Sequence, residues 1–234
     1  MTAPSALPPP RLPGKPDFDA PAVDDAIAAE LATLLYKQSH GVLFANFAIV
    51  LPVAYVMRDS VPAWLLASWA AILYLLTLLR VAVSRRFSRR GPGPLRPWVW
   101  GFCLLSWTSG LLWGLAGVAA VLSGQDMLLA FGCVMLAGMC SGAVPSLSVY
   151  PPAYAGSALG MVAPFIIACL AAADGLHWVY AVFGVCLLGV NLYYSAVTYR
   201  SLQTTVALRF ENSALIHSLE PVSYTHLRAH ETVL

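Results

Sequence analysis

Apolar and polar positions fall in long blocks along this chain. Six apolar runs cover residues 41–57, 61–79, 98–122, 127–144, 153–173 and 178–198. Each is near the ~20 residues that a helix needs to cross hydrocarbon, and the pattern predicts an all-α, polytopic membrane bundle of six transmembrane helices, residues 40–199. Short polar stretches separate the runs. Arg58-Asp59-Ser60 closes a tight hairpin between the first two. Ser123-Gly124-Gln125-Asp126 joins the third to the fourth, a proline-bounded loop at 145–152 follows, and Asp174-Gly175-Leu176-His177 leads into the sixth. The widest break is residues 80–96, RVAVSRRFSRRGPGPLR, read as a loop with a Gly-Pro-Gly-Pro interruption.

The flanks differ in pattern. Residues 1–22 are proline-rich with little apolar periodicity, as in a disordered tail, and they lack the apolar region of a signal peptide. In 23–39, Val23, Ile27, Leu31, Leu34 and Leu35 recur at helical spacing opposite Asp24, Asp25 and Glu30. This predicts an amphipathic helix lying on the membrane surface or against the bundle. Residues 200–220 read as a polar helix continuing out of the sixth span. Leu208, Leu215 and Leu219 fit heptad core positions with Asn212 among them, the pattern of a homodimeric coiled coil. Residues 221–234 break the pattern, and SYTHLRAHET resembles translated sequencing-adapter read-through, so this tail is read as non-native and carries no metal site despite its histidines.

Composition agrees with the blocks. The chain is 59% hydrophobic and 10% charged, and its mean hydropathy is +0.72. A soluble domain is closer to 25% charged. The net charge of +2 matters less than its placement. Arg80, Arg85, Arg86, Arg89, Arg90 and Arg96 sit in one break that holds no acid. Cytoplasmic loops collect Lys and Arg, so these six arginines set the topology. With that loop inside, six spans place both termini in the cytoplasm. Arg11, Lys15, Lys37, Arg200 and Arg209 then fall on the same side, and only Arg58 falls outside.

Candidate chemistry is sparse. With the spans bounded as above, none contains Asp, Glu, Lys or Arg, which disfavours an ion-coupled transporter. Asn46 and Asn191 are the conspicuous intramembrane polar side chains, able to line a pocket or, by preference, to bond neighbouring helices. Gly110 with Gly114, Gly138 with Gly142, and Gly156 with Gly160 have the small-xxx-small spacing that lets helices approach closely. Pro145 and Pro164 lack a backbone donor and are candidate kinks or hinges. Cys103, Cys133, Cys140, Cys169 and Cys186 all lie in apolar runs without metal-ligand spacing and read as packing residues. No catalytic constellation, metal or cofactor is predicted within the chain, and no nucleic-acid partner; its surroundings are the lipid bilayer.

Three stretches carry a resemblance: SGLLWGLAG at 109–117, LAGMCSGAVPSLSVYPP at 136–152 and LRFENSALIHSL at 208–219. Together they resemble the N-terminal six-span membrane module of bacterial sensor histidine kinases, hybrid kinases included, and of GGDEF signalling proteins. The resemblance covers roughly 35–219. It implies a sensory or anchoring input module of a two-component protein, here a truncated fragment, with the phosphorylatable histidine and ATP-binding domain further on. The LRFEN exit favours the kinase over the diguanylate cyclase. A small six-span transporter and a membrane scaffold are the readings from other classes. The resemblance assigns neither a ligand nor a catalytic residue to this chain.

Overall fold

The computed structural model describes residues 20–231, except 39, 92 and 173. Among the described residues there are seven helices and no strand. They are α1 (Ala20–Gln38), α2 (His40–Met57), α3 (Ala63–Ser88), α4 (Arg96–Leu122), α5 (Asp126–Leu147), α6 (Pro151–Ala172) and α7 (Gly175–Glu231). Six stretches are long and apolar enough to cross a membrane: Ile27–Met57, Ala63–Ser88, Arg96–Leu122, Asp126–Leu147, Pro151–Ala172 and Gly175–Arg209. The chain is thus a multi-pass membrane protein in form. Its outward faces are apolar, with Phe44, Leu75 and Leu122 each more than 65% exposed, as a bundle solvated by lipid requires.

Proline and glycine set most helix ends. Pro62 precedes α3, and Pro97 lies in the first turn of α4, where its missing donor costs nothing. Gly124, at φ 67°, turns the chain between α4 and α5. Asp174 caps α7: its Oδ1 accepts the His177 backbone N–H at 2.9 Å and meets His177 Nδ1 at 2.7 Å.

Two segments read as loops are largely helical. Helix α3 continues to Ser88, because 80–88 contains neither Gly nor Pro, and the break comes only at the glycines and prolines that follow. Similarly α5 runs through Pro145 to Leu147, leaving only a three-residue turn before Pro151. Pro145 therefore lies inside a span rather than at a loop edge, and Pro164 lies inside an unbroken α6. Helix α1 packs against the bundle, burying Leu31, Ala32, Leu35 and Tyr36. The exit segment is one helix with the sixth span, and α7 stays helical through 221–231. Its 57 residues extend for about 85 Å. Leu208 is half exposed, while the Leu215 and Leu219 side chains lie outside the described residues.

Helices α4 and α6 form the most intimate pair. A Cβ added at Gly110 would overlap the Ser157 carbonyl, and one at Gly114 would overlap the Gly160 carbonyl. One at Gly156 would enter the Trp107 indole, and one at Gly160 would lie 3.1 Å from the Leu111 nitrogen. The four glycines thus form one seam. Gly138 and Gly142 do not belong to it: a Cβ at either meets nothing within 4 Å. The spacing is shared, but only the first and third pairs face a partner helix.

Gly114→Val is expected to destabilise the protein by about 3 kcal/mol, since the obstructing atoms are backbone. Gly138→Ala should be neutral or stabilising by up to about 1 kcal/mol, through helix propensity alone. Unfolding in detergent micelles measures both. Asp174 also gives a pH dependence. The His177 backbone N–H, and then its ring, hold the Asp174 carboxyl below its ordinary value of 3.8. A depressed folded pKa means that the contribution is present above the unfolded value and is lost as the pH falls through the lower, folded one. The stability difference between wild type and Asp174→Ala should therefore shrink as the pH drops below about 3.8 and be flat above it, as read by thermal unfolding across acid pH.

Candidate functional site

A polar seam lies buried between α2, α3 and α4. On α3, Leu73, Thr77, Arg80, Ser84 and Phe87 recur every three or four residues and face inward. On α4 the opposing row includes Phe102, Ser106, Ser109 and Trp113. Asn46 of α2 completes it. Trp113 Nε1 donates to Asn46 Oδ1 at 2.9 Å, and Asn46 Nδ2 donates to Ser109 Oγ at 3.3 Å. Trp69 of α3 stands edge-on to Trp113 at 5.3 Å and donates its Nε1 to the Leu112 carbonyl at 2.8 Å. These bonds tie three helices together in a region without water, where an unpaired donor is costly.

Arg80 stands in this seam and not in a loop. It is only 5% exposed. Its Nη2 donates to Ser106 Oγ at 3.2 Å, and its guanidinium lies 5.2 Å from the centre of the Phe102 ring. Ser106 in turn donates to the Phe102 carbonyl at 2.9 Å. The Arg80 Nε has no hydrogen-bond partner, and no described carboxylate pairs with the cation. The expectation that the spans are free of charge is thus corrected, because α3 continues nine residues past the end of its apolar run at 79. The signal was legible: the spacing of Leu73, Thr77, Arg80, Ser84 and Phe87 carries the buried stripe beyond position 79. Ser106 and Ser109 had no such signal, since a serine in an apolar run is unremarkable until its partner is known.

The six arginines divide by environment. Arg80 is buried. Arg85, Arg86, Arg89 and Arg90 line an open cleft at the end of α3, with Trp98 of α4 opposite. Arg96 borders a cavity of about 220 Å³ between α1, α4 and α7, with Trp100, Tyr150 and Tyr199. Of the two intramembrane asparagines, Asn46 bridges helices. Asn191 does not, because its Nδ2 donates to the Leu187 carbonyl of its own helix at 2.9 Å. Pro164 joins the glycine seam, with its Cγ 3.2 Å from a Cβ placed at Gly114. Of the cysteines, Cys103, Cys140 and Cys169 are buried, with Cys140 Sγ 3.3 Å from the Tyr154 hydroxyl; Cys133 is half-buried and Cys186 is exposed on the outer face of α7 rather than packed in the core.

A buried cation with a spare N–H can hold an anion or a carbonyl oxygen, or answer a change in its surroundings; ionisable groups within membranes commonly mark functional sites. No family model matches this chain, and neither a curated protein nor a solved structure is similar to it.

If Arg80 is retained at a cost to stability, Arg80→Met should raise unfolding free energy by about 1–3 kcal/mol. The Ser106 hydroxyl would keep its bond to Phe102, so no orphaned donor would offset the gain. Equilibrium unfolding in micelles checks this, and a loss of stability would make Arg80 a satisfied structural residue.

Proposed function

We propose that this chain is the membrane-embedded input module of a bacterial signal-transduction protein, a sensor histidine kinase of the two-component type. It sits in the inner membrane with both ends in the cytoplasm and forms a homodimer through its exit helix. The observation that carries the reading is the continuity of α7. One helix runs from Gly175 at the start of the sixth span to Glu231 in the polar segment, with no glycine or proline break between 190 and 220. A rotation or shift of the span is therefore delivered directly to whatever the exit helix carries. The half-exposed Leu208 supports a partner helix there, and the kinase output rests on the motif resemblance at 208–219.

The topology is supported by charge. Arg85, Arg86, Arg89, Arg90 and Arg96 fall at helix ends, and Arg200 and Arg209 late in the apolar stretch of α7, on one shared side if all six spans cross, and Arg58 falls at the other. The segments joining the helices at the Arg58 end are only a few residues long, too short for an external ligand domain. The signal is accordingly a small ligand entering between helices or a physical state of the bilayer, and Arg80 is the group best placed to respond.

A fusion of residues 1–220 to a histidine-kinase core tests the transmission. Inserting one to seven residues after Arg200 should make kinase output oscillate with a period near 3.5 residues, and seven should restore the starting level. Output independent of insert length would refute the reading.

A further inference from the structure

The end of α3 presents two faces. One is buried and holds Arg80, Ser84 and Phe87. The adjoining face lines a cleft of about 900 Å³ with Leu79, Ala82 and Val83 at one end and Arg85, Arg86, Arg89 and Arg90 at the other. Trp98 closes the far wall. The volume is in the range of ligand sites, roughly 300–1,000 Å³. From Leu79 to Ser88 the helix rises about 13 Å. The rest of α3 toward Ala63 is apolar span, so the apolar end of the cleft points into hydrocarbon and the cationic end toward water.

That order, apolar then cationic then aqueous, is complementary to a phospholipid lying along the helix. The charge is uncompensated: residues 80–96 contain no acid, and none of the four arginines pairs with a described carboxylate. Arg90 is partly engaged, stacked 4.5 Å over Phe87 and donating to the Gly93 carbonyl at 3.4 Å. Arg85, Arg86 and Arg89 are exposed. Guanidinium groups bind phosphate through paired N–H donors, and basic pockets between membrane helices suit anionic head groups.

We propose that this cleft is a binding site for an anionic glycerophospholipid. Its phosphate is held by Arg85, Arg86 and Arg89, with Arg90 adding charge. Its acyl chains lie along Leu79, Ala82 and Val83, and Trp98 flanks the glycerol level. This use is compatible with the arginines also fixing topology.

The full chain in nanodiscs containing equal parts phosphatidylglycerol and phosphatidylcholine, released for native mass spectrometry, reads the site directly. Wild type should retain one phosphatidylglycerol in preference to phosphatidylcholine, and a large excess of inorganic phosphate should not displace it. Arg85→Gln/Arg89→Gln should lower that retention about ten-fold. Arg200→Gln/Arg209→Gln, the same change of charge elsewhere, should leave it unchanged. If the first variant fails to insert, Arg85→Lys/Arg89→Lys keeps the charge and loses the planar donor fork, and a several-fold loss is expected with it. Equal retention of the two lipids, equal loss in both glutamine variants, undiminished retention in the lysine variant, or displacement by inorganic phosphate would each overturn the proposal.

Discussion

Gly114 of α4 lies against Gly160 of α6, whose carbonyl occupies the space a methyl group would need. In lipid no hydrophobic force draws one helix to another, so association rests on packing and on hydrogen bonds. Packing improves with proximity, and proximity requires the absence of Cβ. Pro164 contributes twice. It lies four residues after Gly160 and has no N–H, so the Gly160 carbonyl is left without its helical donor. That same carbonyl is the atom pressed against Gly114. The proline ring fills the adjoining space.

With α4 fixed against α6, the other helices take what remains of its surface. Helix α7 packs on α6, partly by Gly184 receiving the Ile166 side chain. On the opposite side α4 meets α2 and α3 through polar groups. The bonds made by Asn46, Trp69 and Trp113 each contribute modestly, on average about 0.6 kcal/mol for such pairs in a membrane. Their larger effect is on register. An alternative alignment of α2 or α3 would leave indole and amide donors in hydrocarbon, and each such orphan costs about 1–3 kcal/mol. Glycines fix one side of α4 by shape, and polar side chains fix the other by valence.

Most of this architecture is legible in the sequence, and the failures share a cause. The six spans follow from apolar length, which is a local property. The break at 80–96 has the charge that normally ends a span, yet helix formation at 80–88 depends on the lack of Gly and Pro, and burial depends on Ser106 and Phe102 across the interface. The glycine pairs illustrate the same limit. Gly110, Gly114, Gly138, Gly142, Gly156 and Gly160 are indistinguishable by spacing, but Gly138 and Gly142 face no helix. Asn46 and Asn191 are likewise equivalent in sequence. One found an indole and a hydroxyl on α4, the other its own backbone. Local pattern predicts which residues can meet a partner, and only the tertiary arrangement selects those that do.

Phe87 shows how the two faces of α3 are connected. Its ring stacks on Tyr36 of α1 at 4.0 Å and lies edge-on to Trp98 at 5.8 Å. The Arg90 guanidinium, in the arginine cleft, rests on the same ring. Tyr36 also contacts Phe102 at 5.2 Å, the ring beneath Arg80, and donates to the Trp98 carbonyl at 2.9 Å. The cleft and the buried cation are thus separated by one aromatic cluster that also anchors α1. An anion drawn to Arg90 competes with the Phe87 ring for the guanidinium, since the cation–π attraction is about 0.5–1 kcal/mol at an exposed site and a phosphate contact is stronger. Tyr36, on which that ring stacks, belongs to α1, which packs on α5 and α7 as well. The arginine cleft and α7 are therefore joined through contacts that the bundle already makes.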